Sequence, residues 1–395
     1  MYLCTMVPRM AKDKILEMAT KYPVLLFTGP RQSGKTTLSK VLFPEHQYVN
    51  LENPDNREFA QSDPRGFLAI YKNVIIDEAQ NVPELFSYIQ QIVDDKNEPG
   101  QYILSGSQNF LLLEKITQSL AGRVYIIELL PLSYAELSQV QKTDLPTLLL
   151  QGGYPRIYDK QISANDFFPS YIKTYIERDV RPIANVQNLA LFRKFMTLCA
   201  HHVGQLFVAN NIAKQLGVDL KTVKNWLSIL ETSYIAFTLN PYHNNLSKRI
   251  IKTPKLYFYD VGLAAFMLGI ENEEELLISK YKGAIFENFV LLEMMKNHYA
   301  QGIHRNYSFW RDSNQNEIDL LIEKGKQVAC VEMKYSQTVK QEFIKSLHYL
   351  DKIKGDLELT HFLVNSMDES QKRNAMLPVV STSFQSVEPV SKISK

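Results

Sequence analysis

Clustered cysteines, an excess of charge of either sign and apolar runs of membrane length are all missing from this sequence. Its 395 residues include 3 cysteines, Cys4, Cys199 and Cys330, with no CxxC pair. That pattern fits a reducing compartment and excludes a cysteine-built zinc site. Lys and Arg number 44 against 42 Asp and Glu, a formal net charge of +2, so any nucleic-acid surface must come from local clustering. The longest apolar candidate, VYIIELLPLSYAEL, is broken by Glu128 and Pro131 and does not reach the length of a bilayer span. At the N-terminus YLCTMV stops at Pro8 and Arg9, too short for a signal-peptide core. The expectation is a soluble, cytoplasmic protein with no membrane partner. His201 and His202 are adjacent, about 100° apart around a helix, and no third ligand is near, so they read as structural.

What is present is globular: 45% of residues are hydrophobic and 22% charged. The length predicts two or three domains. YPVLLFTG reads as a buried strand stopped by Gly29, and TTLSKVLF as the helix after it. Between them Gly29, Gly34, Lys35 and Thr36 match G-x-x-x-x-G-K-[ST]. The chemistry needs this order. Glycines let backbone N–H groups converge on phosphates at the positive end of a helix. Lys35 reaches the β and γ phosphates and the Thr36 hydroxyl holds Mg²⁺. The predicted nucleotide-binding stretch is Gly29, Pro30, Arg31, Gln32, Ser33, Gly34, Lys35, Thr36 and Thr37.

A second strand, NVIIDEAQ, ends in two carboxylates. Asp77 is expected on the Mg²⁺, and Glu78 as the group that orients or deprotonates the attacking water. A third, QYILSGS, ends in Ser105 and Ser107 with Asn109 beyond, which are either a polar sensor of the γ-phosphate or an ordinary polar turn.

GPRQSGKTT, YVNLENPDNREFA, NVIIDEAQ, YILSGSQNFLL, LAGRVYIIELLPLSYAEL and GGYP together resemble a prokaryotic AAA-type ATPase family. In that family the ATPase module precedes a C-terminal domain of unassigned function, DUF4143. The resemblance covers nearly the whole chain. It implies an α/β fold: an AAA-type parallel sheet, a winged helix, then a restriction-nuclease-like domain. It also implies that Arg123 in LAGRV, or Arg178 in YIERDV, meets the γ-phosphate, because a guanidinium stays charged and presents two donors. Arg123 is favoured, since Arg178 sits between Glu177 and Asp179 and can equally form a surface ion pair. Whether the arginine serves its own subunit or a neighbour in a homo-oligomer stays open.

GGYPR, 152–156, breaks the pattern after the ATPase core. Helical spacing returns in DFFPSYIKTYIERDV and LALFRKFMTLCAHHV. VANNIAKQLGVDLKTVKNWLSILETSYI then reads as helix, turn at 217–219, and a second helix with Val223, Trp226, Leu227 and Leu230 inward. AFTLNPY and KLYFYD are the expected flanking strands, with HNNLSKRIIKTP as a wing between them. Lys221, Lys224 and Asn225 face outward, where they can meet a major groove, and Lys248, Arg249 and Lys252 can meet phosphates. A packing module with ordinary surface lysines is the alternative, and Trp226 reads as core.

GAIFENFVLLEMMKNHY is apolar almost all round, so the helix should be buried, and its Glu287 then needs a partner or a metal. NEIDLLIEKGKQVACVEMK reads as a hairpin turning at Lys324-Gly325. With Glu323 set opposite Lys326, Asp319 falls opposite Cys330 and Glu317 opposite Glu332, leaving Asp319 and Glu332 diagonal neighbours within reach of one divalent ion. Asp319 with Glu332-Met333-Lys334 resembles the D…ExK signature of restriction-type nucleases, Glu287 being the preceding helical acid. In that chemistry carboxylates hold Mg²⁺ and the lysine positions or activates water. An inactive remnant is the competing expectation.

The expected domains are an ATPase core at 1–150, a helical linker or lid at 151–190, a winged helix at 191–265 and a nuclease-like domain at 266–395. The expected function is that of a Mg²⁺-dependent, ATP-binding AAA-type ATPase acting on DNA. A nucleotide-gated nuclease and a slow ATP switch that recruits a protein partner are the rivals.

Overall fold

The computed structural model describes residues 7–96, 98–106, 119–176, 180, 189–242, 252–338, 340–367 and 379–383. The first five strands are β1 (Val24–Thr28), β2 (Gln47–Asn50), β3 (Val74–Asp77), β4 (Tyr102–Ser105) and β5 (Val124–Glu128). They form one sheet, ordered β2-β3-β4-β1-β5, in which every pair is parallel. A parallel sheet is covered on both faces, which is why VLLFT and YILS are unbroken buried runs rather than alternating ones. Alternate residues feed two cores. Val24, Leu26, Ile76 and Leu104 join one; Leu25, Phe27, Ile75 and Ile103 join the other, against the helix Lys12–Ala19.

β4 lies between the strand that enters the phosphate loop and the strand that ends in Asp77. The ends of all three therefore open onto one crevice, the usual ligand position in an open α/β sheet.

The middle segment contains the helices Leu189–His201, Ala209–Leu216 and Leu220–Thr232 and a small antiparallel sheet. Its strands are β6 (Gln205–Leu206), β7 (Ala236–Leu239) and β8 (Lys255–Phe258), ordered β6-β8-β7. The expected turn is there. Gly217 ends one helix at φ 68°, and the Asp219 carboxylate caps the next by accepting from Thr222 N at 2.7 Å. Trp226 is buried edge-on against Phe192, with ring centroids 5.5 Å apart. His201 and His202 are turned to different partners, the Tyr281 hydroxyl and the Leu198 carbonyl.

The GGYP glycines are a buried junction. Gly153 N donates to the Asp260 carboxylate at 2.7 Å, and a Cβ on Gly152 would lie 2.0 Å from the same group. Asp260 also caps the helix Val261–Met267 through Leu263 N at 3.0 Å. Burial, only partly offset by these backbone donors, pushes its carboxyl up to about 6.

The helix Lys282–Ala300 is buried along most of its length, as its composition predicts. It packs beside a sheet of β9 (Asn306–Arg311), β10 (Glu317–Lys324), β11 (Gln327–Lys334), β12 (Glu358–Asn365) and β13 (Val379–Ser383), ordered β13-β12-β11-β10-β9. β9 to β11 are antiparallel; β12 and β13 join in parallel. Asn288 ties the helix to the middle segment, its amide accepting from Phe258 N and donating to Phe258 O, each at 2.8 Å.

The hairpin register differs from the expected one. Lys324 pairs with Gln327, Glu323 with Val328 and Leu321 with Cys330, so the turn is Gly325-Lys326. Gly325 at φ 63° supplies the positive φ that a two-residue hairpin needs first. The shift is two residues, so the side-chain faces are preserved while Cys330 comes to lie opposite Leu321 in place of Asp319. Among the described residues no helix is long and apolar enough to cross a membrane.

Candidate active site

The crevice end of β1 turns at Gly29, whose φ of 134° and close approach to the Leu129 carbonyl leave no room for a Cβ. Gln32 at φ 61° and Gly34 at φ 95° complete the curl of Pro30, Arg31 and Ser33, and Lys35 and Thr36 begin the helix Lys35–Leu42 with Thr37. Lys35 is buried at the centre, its ammonium donating to the carbonyls of Gly29 at 2.9 Å and Pro30 at 2.7 Å. The Ser33 hydroxyl is buried without a hydrogen-bond partner among the described residues.

Asp77 organises the other wall. Its Oδ2 accepts from the Thr36 hydroxyl at 2.9 Å and the Tyr48 hydroxyl at 2.9 Å. Oδ1 accepts from Ser105 Oγ at 2.5 Å and Glu78 N at 3.2 Å. A hydroxyl and a carboxylate at this separation, both hard oxygen donors, fit the pair that holds Mg²⁺ beside a bound nucleotide. Ser105 is thus placed as a support of Asp77. Ser107 and Asn109 lie outside the described residues. Glu78 adopts the left-handed region at φ 52°, a conformation costly for a residue with a side chain and concentrated at functional sites. Its carboxylate is held by the Gln80 amide.

Tyr48 was not expected here. It comes from the YVNLENP stretch, whose place in the chain carried no chemical signal, and burial together with Asp77 holds its phenol above the ordinary range. Lys40 lies over its ring, 3.3 Å from the centroid.

Arg123 lies away from the phosphate loop of its own chain. Its carbonyl accepts from Val24 N at 3.3 Å, at the start of β1, while the phosphate loop follows the end of β1. Five residues at about 3.3 Å each separate the two levels, roughly 16 Å, so the guanidinium does not reach the phosphate loop of its own chain. It forms a forked ion pair with Asp94 instead, Nη2 to Oδ2 at 2.9 Å. Arg178 and its neighbours Glu177 and Asp179 lie outside the described residues.

The second candidate cluster does assemble, with different partners. Asp319 and Glu332 are each 6% exposed. Lys334 Nζ is 2.7 Å from Glu332 Oε1 and 3.4 Å from Asp319 Oδ2, and Met333 N donates to that Oδ2 at 2.8 Å. Burial, and after it Asp319, push the Glu332 carboxyl up to about 8. Its Oε2 is buried with no hydrogen-bond partner among the described residues.

Glu287, the expected helical acid, is met by a lysine and a tyrosine. Its Oε1 accepts from Lys255 Nζ at 2.9 Å and the Tyr257 hydroxyl at 2.5 Å. Lys255, on β8 of the middle segment, also meets Glu317 at 2.5 Å and is 2% exposed. A buried ammonium is thus a partner for the buried Glu287 carboxylate. No group of three or more His, Cys, Asp or Glu side chains among the described residues is placed to hold a metal ion. Nothing in the order of residues marks Lys255 for this role; only the packing of β8 against the long helix does.

Lys221, Lys224, Asn225 and Lys252 are exposed, while Lys248 and Arg249 lie outside the described residues.

Three family profiles match in succession: an AAA domain over residues 21–138, a domain of unknown function (DUF8612) over 142–274 and another (DUF4143) over 282–384. An uncharacterized protein of Mycobacterium tuberculosis is 32% identical over 343 residues, 85% of this chain and 76% of that protein. An uncharacterized protein of Methanocaldococcus jannaschii is 26% identical over 354 residues, 80% of this chain and 76% of that one. Among solved structures, a Walker-type ATPase of Pyrococcus abyssi aligns at 14% identity and a TM-score of 0.43, covering 65% of this chain and 94% of that one. The chain belongs to the prokaryotic family of AAA-type, ATP-binding P-loop ATPases that carry a C-terminal DUF4143 domain.

Proposed function

We infer that the protein hydrolyses ATP with Mg²⁺ in the cytoplasm and uses the nucleotide state to control an action on DNA. The observation that carries this is the wall built on Asp77, where Thr36 and Ser105 converge on one carboxylate across the crevice from Lys35. Thr36 and Asp77 would hold Mg²⁺, which neutralises phosphate charge when bound. Lys35 exchanges its loop carbonyls for phosphate oxygens. Glu78, poised in a strained backbone next to Asp77, orients the attacking water and accepts its proton. If Arg123 meets a γ-phosphate, it does so in a second copy of the chain.

The DNA part rests on the exposed Lys221, Lys224 and Asn225 of one helix and on Lys252, the arrangement by which a winged helix meets a groove and its phosphates. ATP turnover with Mg²⁺, measured with and without duplex DNA, tests both parts. Turnover stimulated by DNA and lost at high salt is expected. Turnover at the rate of free ATP under both conditions would instead mark a slow switch that recruits a protein partner.

A nucleotide-gated nuclease is the alternative favoured by one specific observation, the Oε2 of buried Glu332 beside Asp319, which has no hydrogen-bond partner among the described residues. These two carboxylates suit a hard divalent ion, while Glu287 beside them is paired with Lys255. Calorimetric titration of the full chain with Mn²⁺, parent against Asp319→Asn, together with plasmid cleavage, decides it. Equal Mn²⁺ binding by the two proteins and intact plasmid would leave the cluster as a structural feature.

A further inference from the structure

We propose that Arg9, which precedes the AAA domain, is a positioning residue that turns the Ser33–Gly34 peptide so that the Gly34 N–H faces the nucleotide phosphates, with Glu136 holding Arg9 in place. The inference rests on the phosphate loop binding a nucleotide.

The Arg9 side chain is 8% exposed and uses all three of its nitrogens. Nη1 donates to Ser33 O at 2.8 Å, Nη2 to Leu130 O at 2.7 Å and Nε to Glu136 Oε1 at 3.0 Å. A planar fork suits this, because its donors sit on three separate nitrogens at fixed positions, whereas an ammonium offers its three from a single atom.

Glu136 is itself fully directed. Its Oε1 also accepts from Met10 N at 2.8 Å, and its Oε2 from Ser133 N at 2.9 Å, while Ser133 Oγ accepts from Glu136 N at 3.2 Å. This is a capping box at the start of the turn Tyr134–Leu137, and it orients the carboxylate toward Arg9. The PLSYAEL stretch, which has no part in phosphate chemistry, thereby acquires a role.

The effect on the loop follows from peptide geometry. In a planar trans peptide the C=O and the next N–H point in opposite directions. With Ser33 O drawn to Arg9, Gly34 N–H must point the other way, into the curl of the loop. A glycine at 34 makes that peptide easy to turn over, since glycine tolerates both hands of φ. An external hydrogen bond is what selects one orientation. Arg9 Nη1 lies 3.7 Å from where a Gly34 Cβ would be, directly behind the loop.

The test uses the full chain and ADP. Arg9→Lys keeps a charge beside Glu136 but loses the fork; Arg9→Met with Glu136→Gln removes both members of the buried pair, so that neither charge is left alone. Each is expected to bind ADP about tenfold more weakly than the parent by calorimetry, the loss of one charge-assisted contact geometry. KM for ATP should rise with kcat unchanged, because the peptide is oriented in ground and transition states alike. A purely structural role would lower the melting temperature and leave ADP affinity alone, and affinity within twofold of the parent in either folded variant would overturn the proposal. An ADP-bound crystal structure of the parent needs no variant to fold. Gly34 N on a phosphate oxygen with Arg9 on Ser33 O is expected; Ser33 O turned toward the phosphates would refute it. A parent that bound no nucleotide would overturn the nucleotide reading and this one together.

Discussion

The nucleotide crevice and the acidic cluster of the C-terminal domain are both built on carboxylates at strand positions, yet they are stabilised in opposite ways. In the crevice, Asp77 is surrounded by neutral donors, the hydroxyls of Thr36, Tyr48 and Ser105 and one backbone N–H. All of them come from the same sheet and its loops. In the cluster, Glu287, Glu317, Asp319 and Glu332 are met by two lysines and Arg311, and one of the lysines, Lys255, belongs to a different segment. Hydroxyls can give way to a metal without leaving a charge behind. Lysines cannot, because withdrawing one from a buried carboxylate exposes the full desolvation penalty. The first arrangement suits exchange of ligands, and the second locks two segments together.

Removing Lys255 should have the largest effect on this contrast. Lys255→Met leaves Glu287 and Glu317 without their shared cation and should destabilise the protein by about 3–5 kcal/mol, read by chemical denaturation. Adding Glu287→Gln should recover part of that loss. If Lys255→Met cost no stability, the lysine would not be a lock.

In the crevice the losses should be functional. Lys35→Ala should weaken ATP binding by at least about 100-fold, on the order of 3 kcal/mol, with little change in melting temperature. Glu78→Gln should bind ATP as the parent does and hydrolyse it about 100-fold more slowly, since an amide accepts no proton. Parental turnover in Glu78→Gln would remove Glu78 from the mechanism.

A smaller effect comes from Asp260 at the GGYP junction, where a buried carboxylate accepts from backbone N–H groups. Its carboxyl is held at about 6, above the ordinary value of 3.8, so the folded state binds the extra proton between those values. The stabilising contribution is complete below about pH 4 and lost as pH rises through about 6, at most on the order of 3 kcal/mol. Asp260→Asn should flatten that slope in melting temperature measured from pH 4 to 7, even if its absolute stability falls. An unchanged slope would mean that another group titrates in this window.

The smallest structural effect belongs to the exposed helix. Lys221→Glu with Lys224→Glu should leave stability within about 0.5 kcal/mol of the parent, as surface changes usually do. It should weaken DNA binding and reduce its dependence on salt. Unchanged DNA affinity would favour a packing role for this segment.

The crevice was legible in the order of residues because its parts are local. A strand, a glycine curl and a helix follow one another within 24–42, so their contacts are set by a few φ values and short hydrogen bonds. The same holds for the buried helix Lys282–Ala300, whose apolar composition admits no exposed face, and for the alternation that put Asp319 and Glu332 on one side of a hairpin. Turn position was less legible. Gly325 can serve at either central position, and shifting the turn by one residue moves the pairing by two.

Partners far apart along the chain were not legible at all. Arg123 precedes a strand whose parallel pairing with β1 fixes it at the end of the sheet away from its own phosphate loop. Arg9 reaches Glu136 across 127 positions, and Lys255 reaches Glu287 across 32. Local spacing specifies backbone conformation and side-chain face, because those depend on steric and hydrogen-bonding terms within a few residues. Which cation meets a buried carboxylate depends on how segments pack. The cost of desolvation makes some partner obligatory, but only the assembled layers determine whether it is a metal, a hydroxyl or a lysine from another strand.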